Sequence, residues 1–320
     1  MLECLDRNGA PMATIVGGVA ASHSTLMNTD FDRVRDVASA VGFKQALGTA
    51  RDYLVGLAPD AIICIGSNHF RGFFLDLLPT FSIGVGDVTG TGESGTPKGR
   101  LETDPTLARH LLEGLVQRDI DAAFSIDMTI DHGLTHAVQY LWPSASVPII
   151  PIVINLFAPP LPSVQRCAQL GQALASAVRD FPADCRVAVV ASGGLSHTLP
   201  WPDWRAPESD DDRFLVEAWL RGRHGTAQYE DARRKIIRAA PSRINPEFDR
   251  RFLRALEQGG DPAVLAKEFQ DLDAEAGNGG AEIRNWIAAK NFVGAAPAET
   301  VGYWAIEEWI TGMGVALLPA

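Results

Sequence analysis

The sequence has no apolar run approaching the roughly 20 residues that a membrane-spanning helix needs. Its first dozen residues, MLECLDRNGAPM, carry acids and lack the apolar stretch of a secretory leader, so a soluble, cytoplasmic protein is expected. Cysteine is scarce. Cys4, Cys64, Cys167 and Cys185 are far apart and form no CxxC pair, and Cys64 and Cys185 lie in or beside apolar runs. They are expected to be buried free thiols of a reducing compartment. Positive charge is in deficit: 28 Lys and Arg against 39 Asp and Glu give a net charge of -11. Such a surface repels phosphate backbones, so nucleic acid is not an expected partner, although a local Arg or Lys can still receive a small anion inside a pocket.

Several catalytic signatures are missing as well. There is no P-loop and no GxSxG elbow. Gly90–Gly95 (GTGESG) matches GxGxxG literally, but Thr96-Pro97-Lys98-Gly99 follows where a helix should begin, so a mobile loop is expected instead of a dinucleotide site. Ser196 and His197 are adjacent in sequence, where a nucleophile and its base rarely face each other. His132 and His136 have the HxxxH spacing and can share a helix face, but the glutamate of HExxH is absent, which rejects a zincin.

What is present is an alternation of short apolar runs with helical patterns. Ala13–Ala20, Ala61–Gly66, Asp121–Ile126, Val147–Ile154 and Arg186–Ser192 read as strands, and Phe73–Val85 as partly β-like. Phe31–Leu57 (with a possible break at Gly42), Asp104–Gln117 and Leu161–Asp180 read as helices, Asp104-Pro105 being a start signal. From about Asp210 the pattern turns helical and more charged, with candidates at Asp211–Arg221, Ala232–Arg238, Pro246–Gln258, Pro262–Phe269 and Gly280–Lys290. No linker and no internal repeat divides the chain. The expectation is one α/β layered domain over residues 1–320, with a largely buried sheet flanked by helices and a helical C-terminal part.

Four of the seven histidines stand where α/β sheets gather ligands, beyond the carboxyl ends of strands. His23 follows the first strand (ASHS), His69 the second (SNHF), and His197 the Gly pair after Arg186–Ser192 (SGGLSH); His132 (IDHG) follows Asp121–Ile126. They are expected to converge on one edge. His110 and His224 read as surface or helix-face residues. A two-histidine iron site needs one carboxylate and leaves its remaining positions open. Glu282, opening a helix after Gly277-Asn278-Gly279-Gly280, is the best candidate, since glycines let the chain approach closely. It can equally be a first-turn acid that complements the helix dipole.

These segments, with INPEFDRRFLRALEQG and IEEWITGMG, occur in an order that resembles the class III extradiol ring-cleavage dioxygenases, the protocatechuate 4,5-dioxygenase β-subunit type, from about Val16 to Gly314. Within that superfamily the likeness leans to the 2,3-dihydroxyphenylpropionate 1,2-dioxygenases. The resemblance implies Fe(II) bound by His23, His69 and Glu282, with His132 as base and His197 as acid. It implies O2 and an aromatic diol as partners, and assembly into a homo-oligomer. The implied substrate is 2,3-dihydroxyphenylpropionate or a close relative; protocatechuate, a gallate derivative, an aminophenol and a bicyclic catechol are the alternatives. A non-catalytic subunit of the same fold is the reading from another class. The leader before His23 is longer than the family implies, so residues 1–12 are expected to form a tail. Asp131 is expected to orient His132 or to cap the following helix, and Asn68 to support the site by hydrogen bonding. Thr198–Asp211, rich in Trp and Pro, is expected to shape the substrate pocket, and Arg71 or Arg205 to bind a substrate carboxylate.

Overall fold

The computed structural model describes residues 11–143 and 146–320; most of the expected tail, and Cys4, lie outside them. Nine strands are found among the described residues: β1 (Thr14–Ala21), β2 (Ala61–Ser67), β3 (Phe81–Thr91), β4 (Lys98–Leu101), β5 (Ala123–Ile130), β6 (Ile149–Ile154), β7 (Arg186–Ser192), β8 (Glu299–Ile306) and β9 (Thr311–Leu318). The helices are α1 (Leu26–Thr29), α2 (Val37–Gly56), α3 (Pro105–Val116), α4 (His132–Leu141), α5 (Val164–Arg179), α6 (Asp210–Arg221), α7 (Ala227–Ala239), α8 (Pro246–Gln258), α9 (Pro262–Glu268), α10 (Leu272–Ala276) and α11 (Ile283–Val293). None is long and apolar enough to cross a membrane.

The strands form one sheet in the order β4-β3-β6-β2-β7-β1-β9-β8, with β5 also pairing β3. Its centre, β6-β2-β7-β1, is parallel. Central parallel strands are covered on both faces, which is why they read as continuous apolar runs. In β2 the side chains divide by alternation: Ile63 and Ile65 join the core beneath α3, α5 and α11, while Ile62 and Cys64 join the core beneath α2 and α4. Cys64, Cys167 and Cys185 are buried free thiols.

Three expectations need correction. The helix expected at Phe31–Leu57 is a 3-10 turn at Phe31–Arg33 followed by α2, which runs unbroken through Gly42. Gly42 is packed against Trp304 of β8, so its bare backbone serves close packing. The chain at Phe73–Thr80 is irregular, and the strand begins at Phe81. The C-terminal part is not purely helical: β8 and β9 form an antiparallel hairpin that adds to the sheet beside β1.

Candidate active site

Parallel β1, β2 and β7 end at the same edge of the sheet. Within two residues of the ends of β1 and β2 stand His23 and His69, and the turn after β7 carries His197. Glu282 closes a 3-10 turn, Gly279–Glu282, that feeds directly into α11. Nε2 of His23 lies 3.6 Å from Oε1 of Glu282, and Nε2 of His69 lies 3.5 Å from the same oxygen. All three side chains are buried, Glu282 to 1% exposure. The carboxylate also accepts from Ser67 Oγ and, at 2.7 Å, from the Gly194 amide. His23 is turned by its other nitrogen, 3.0 Å from Ser192 Oγ.

This donor set fits a metal. The two imidazole-to-carboxylate separations are too long for hydrogen bonds. Nε2 of His23 is buried with no partner, and an uncompensated polar atom of this kind is costly unless something is bound there. Burial pushes His23 well below the usual histidine range, and the neighbouring histidines His69, His132, His136 and His197 push it further. Burial also raises Glu282, against the opposing pull of His69, Ser67 and Gly194. Neutral imidazoles are the form that ligates a metal. His23, His69 and His132 also form a group whose donor atoms lie within 4.8 Å of one another, so a third imidazole stands beside the same space.

His132 arrives by a different route from the other three. It follows β5, which runs parallel to β3, and β3 is antiparallel to β6 and shifts register between Gly84 and Asp87. Its ring centroid is 3.9 Å from that of His69. Its Nδ1 lies 2.6 Å from Oε1 of Glu93, which also accepts from its backbone amide at 2.7 Å. His197 places Nδ1 2.8 Å from the Leu195 carbonyl. Burial lowers both, His197 to about 4. Together with His23, His69, Leu199, Trp201 and Glu282 they line one cleft.

The family described as "Catalytic LigB subunit of aromatic ring-opening dioxygenase" matches residues 17–316. The chain belongs to it. Among similar proteins, one from Rhodococcus sp is 36% identical over 92% of this chain and 96% of its own length. One from Rhodococcus jostii is 34% identical over 92% and 95%, and one from Escherichia coli is 31% identical over 92% and 95%. All three are named 2,3-dihydroxyphenylpropionate/2,3-dihydroxicinnamic acid 1,2-dioxygenase. The fold is shared with an uncharacterized protein of Escherichia coli K12, at a TM-score of 0.51 and 15% identity, over 94% of this chain and 99% of that one.

Around this cleft the sequence reading holds in part. Glu93, the partner of His132, lies inside the GTGESG stretch expected to be a mobile loop; that stretch is the end of β3 and a 3-10 turn, Glu93–Gly95. Asp131 does not orient His132 through its ring. It caps α4 by accepting from Gly133 N at 3.1 Å, and accepts from His69 N at 2.7 Å, so it fixes the loop that carries His69. Asn68 is spent on the same loop: its Oδ1 accepts from the amides of Phe70 and Phe73. His136 stacks on His23, with ring centroids 5.6 Å apart, and burial drives it down to about 3. Arg71, its side chain 9% exposed, is held between Glu93 and Glu230, whereas Arg205 is exposed and paired with Asp203, outside the cleft. His110 Nε2 lies 2.9 Å from the Ala177 carbonyl, remote from the cleft, and His224 sits in a surface turn. Of the Trp- and Pro-rich stretch, Leu199 and Trp201 reach the cleft wall.

Proposed function

We propose that this dioxygenase opens an aromatic diol beside its two hydroxyl groups, with Fe(II) held by His23, His69 and Glu282 and O2 as co-substrate. The reading rests on one observation: two buried Nε2 atoms face a single oxygen of a buried carboxylate at 3.5 and 3.6 Å. A two-histidine, one-carboxylate set suits ferrous iron and leaves open positions for a bidentate diol. The names of the curated relatives favour 2,3-dihydroxyphenylpropionate or a close analogue as the substrate. We also read the chain as a single domain, because one core cluster takes in residues from Ala13 to Leu318.

When bound, the iron supplies a Lewis acid that lowers the diol pKa and a path for electrons to O2. The protein's own groups move the protons. His132 directs Nδ1–H at Glu93, which leaves Nε2 with its lone pair; this tautomer is assigned from the partner. His132 therefore takes a hydroxyl proton, and the carboxylate 2.6 Å away stabilises the imidazolium. His197 directs its Nδ1–H at the Leu195 carbonyl, so it too rests as an acceptor. It acts as an acid after gaining a proton, which the second hydroxyl can supply. Phe157 and Trp201, at 4.9 and 5.5 Å from the His69 ring, keep that side of the site apolar.

The test is oxygen uptake and appearance of a yellow ring-opened product when the Fe(II)-loaded protein meets 2,3-dihydroxyphenylpropionate. Glu282→Ala is expected to lose its iron. His132→Ala is expected to keep iron while turnover falls about 100- to 10,000-fold. A Glu282→Ala protein that retained both iron and rate would overturn the ligand assignment.

A further inference from the structure

The cleft is lined by charge as well as by imidazole, and the cations in it are not equivalent. Each guanidinium nitrogen of Arg71 faces an acceptor: Nε is ion-paired with Glu93, Nη1 donates to the His69 carbonyl at 2.9 Å, and Nη2 donates to Glu230 at 2.9 Å. It is a structural clamp between the Glu93 turn, the His69 loop and α7. Arg233 is turned away into the core, donating to the carbonyls of Phe70 and His69. Arg234 is different. It lines the cleft, is half-buried, and among the described residues makes no ion pair and no hydrogen bond. Glu230, Arg234 and Ile237 fall at i, i+4 and i+7 of α7, so a single helix face forms this wall.

From this we infer that Arg234 anchors the carboxylate of the substrate's side chain, making this dioxygenase selective for diols that carry an acid on a short tail. The inference rests on the ring-cleavage reading above and goes further by naming the residue that selects the acid. An unpaired guanidinium on the wall of a cleft, in a chain of net charge -11, is the local reversal of field that an anionic substrate requires. Its fork matches a carboxylate in two-point geometry. Ile237 and Leu199, on the same cleft, offer apolar surface to the carbons between ring and acid.

The test compares 2,3-dihydroxyphenylpropionate with 3-propylcatechol, which keeps the ring and the tail length and lacks the charge. Anaerobic calorimetry on the Fe(II)-loaded protein gives Kd for each, and oxygen uptake gives kcat/KM. The parent chain is expected to prefer the acid. In Arg234→Met the acid-to-neutral ratio is expected to fall about 10- to 100-fold, the usual weight of a charge-assisted hydrogen bond. Arg234→Lys is expected to recover part of it, and Arg205→Met to leave it unchanged. An equal loss on both diols would make Arg234 a partner of Glu230, whose Oε1 is buried without a hydrogen bond, and would overturn the inference. An unaltered ratio would overturn it too. If the parent chain opened neither diol, the ring-cleavage reading would fail, and the ratio of the two binding constants would still decide the role of Arg234.

Discussion

A carboxylate set against an imidazole nitrogen stabilises the protonated ring more than the neutral one. Glu93 holds that position at Nδ1 of His132, and it is fixed there by Arg71, which in turn is held by Glu230 on α7. The chain Glu230, Arg71, Glu93, His132 thus sets the tautomer and orientation of the proposed base without touching substrate. Glu93→Gln keeps the shape and removes the charge. It is expected to retain iron, to lose turnover about 10- to 100-fold, as outer-shell partners typically do, and to move the acid limb of the pH–rate profile to lower pH, because the His132 imidazolium loses its counter-ion. A slower enzyme with an unshifted profile would mean that Glu93 only packs.

The 3-10 turn before α11 shows how an element can be built for one contact. A Cβ at Gly279 would run into the His197 imidazole, so only glycine lets the turn close over that ring. Gly279→Ala is expected to keep iron, since Glu282 is anchored by Ser67 and Gly194, and to cut turnover about 100-fold, the scale of an ångström-sized misplacement of a reacting group. Iron loss alongside activity would show that the turn positions the carboxylate instead. Much of this was legible in the sequence. β7 matches its expected limits because no polar residue interrupts it, and α8 matches because Asn245, Pro246 and Gly259 punctuate it. The convergence of His23, His69, His197 and Glu282 on one cleft was legible because strand ends and glycine-rich turns are local signals, whereas their roles come only from the family resemblance. β8 was not, since it is half-exposed, carries no clean alternation and is defined by pairing with β9. Glu93 was hidden for a similar reason: its glycine-rich surroundings say loop, and its partner lies 39 residues away.

The proposed acid histidine is also tied to the fold at large. Asp249 of α8 accepts from the Ser196 amide at 2.8 Å, from Ser196 Oγ at 2.7 Å and from the Tyr303 hydroxyl of β8 at 2.7 Å, while Asn245 N donates to Ser196 Oγ at 2.7 Å. One carboxyl therefore joins the turn beside His197, the helical layer and the C-terminal hairpin. Asp249 has no solvent exposure, and burial pushes it up from 3.8 to about 6 despite these donors. The folded chain then holds the proton more tightly than the unfolded chain. Its contribution to stability is fully present below about pH 4 and is lost as pH rises through 6. A rise of about two units, at about 1.4 kcal/mol each, sets the scale at roughly 3 kcal/mol. Asp249→Asn cannot ionise and lacks this dependence. Urea unfolding of both proteins in the same metal state is expected to show the variant gaining on the parent between pH 4.5 and pH 7.5, by an amount up to roughly that scale. A stability difference that stays constant across this range would mean that Asp249 remains ionised inside the fold, its three donors outweighing the cost of burial.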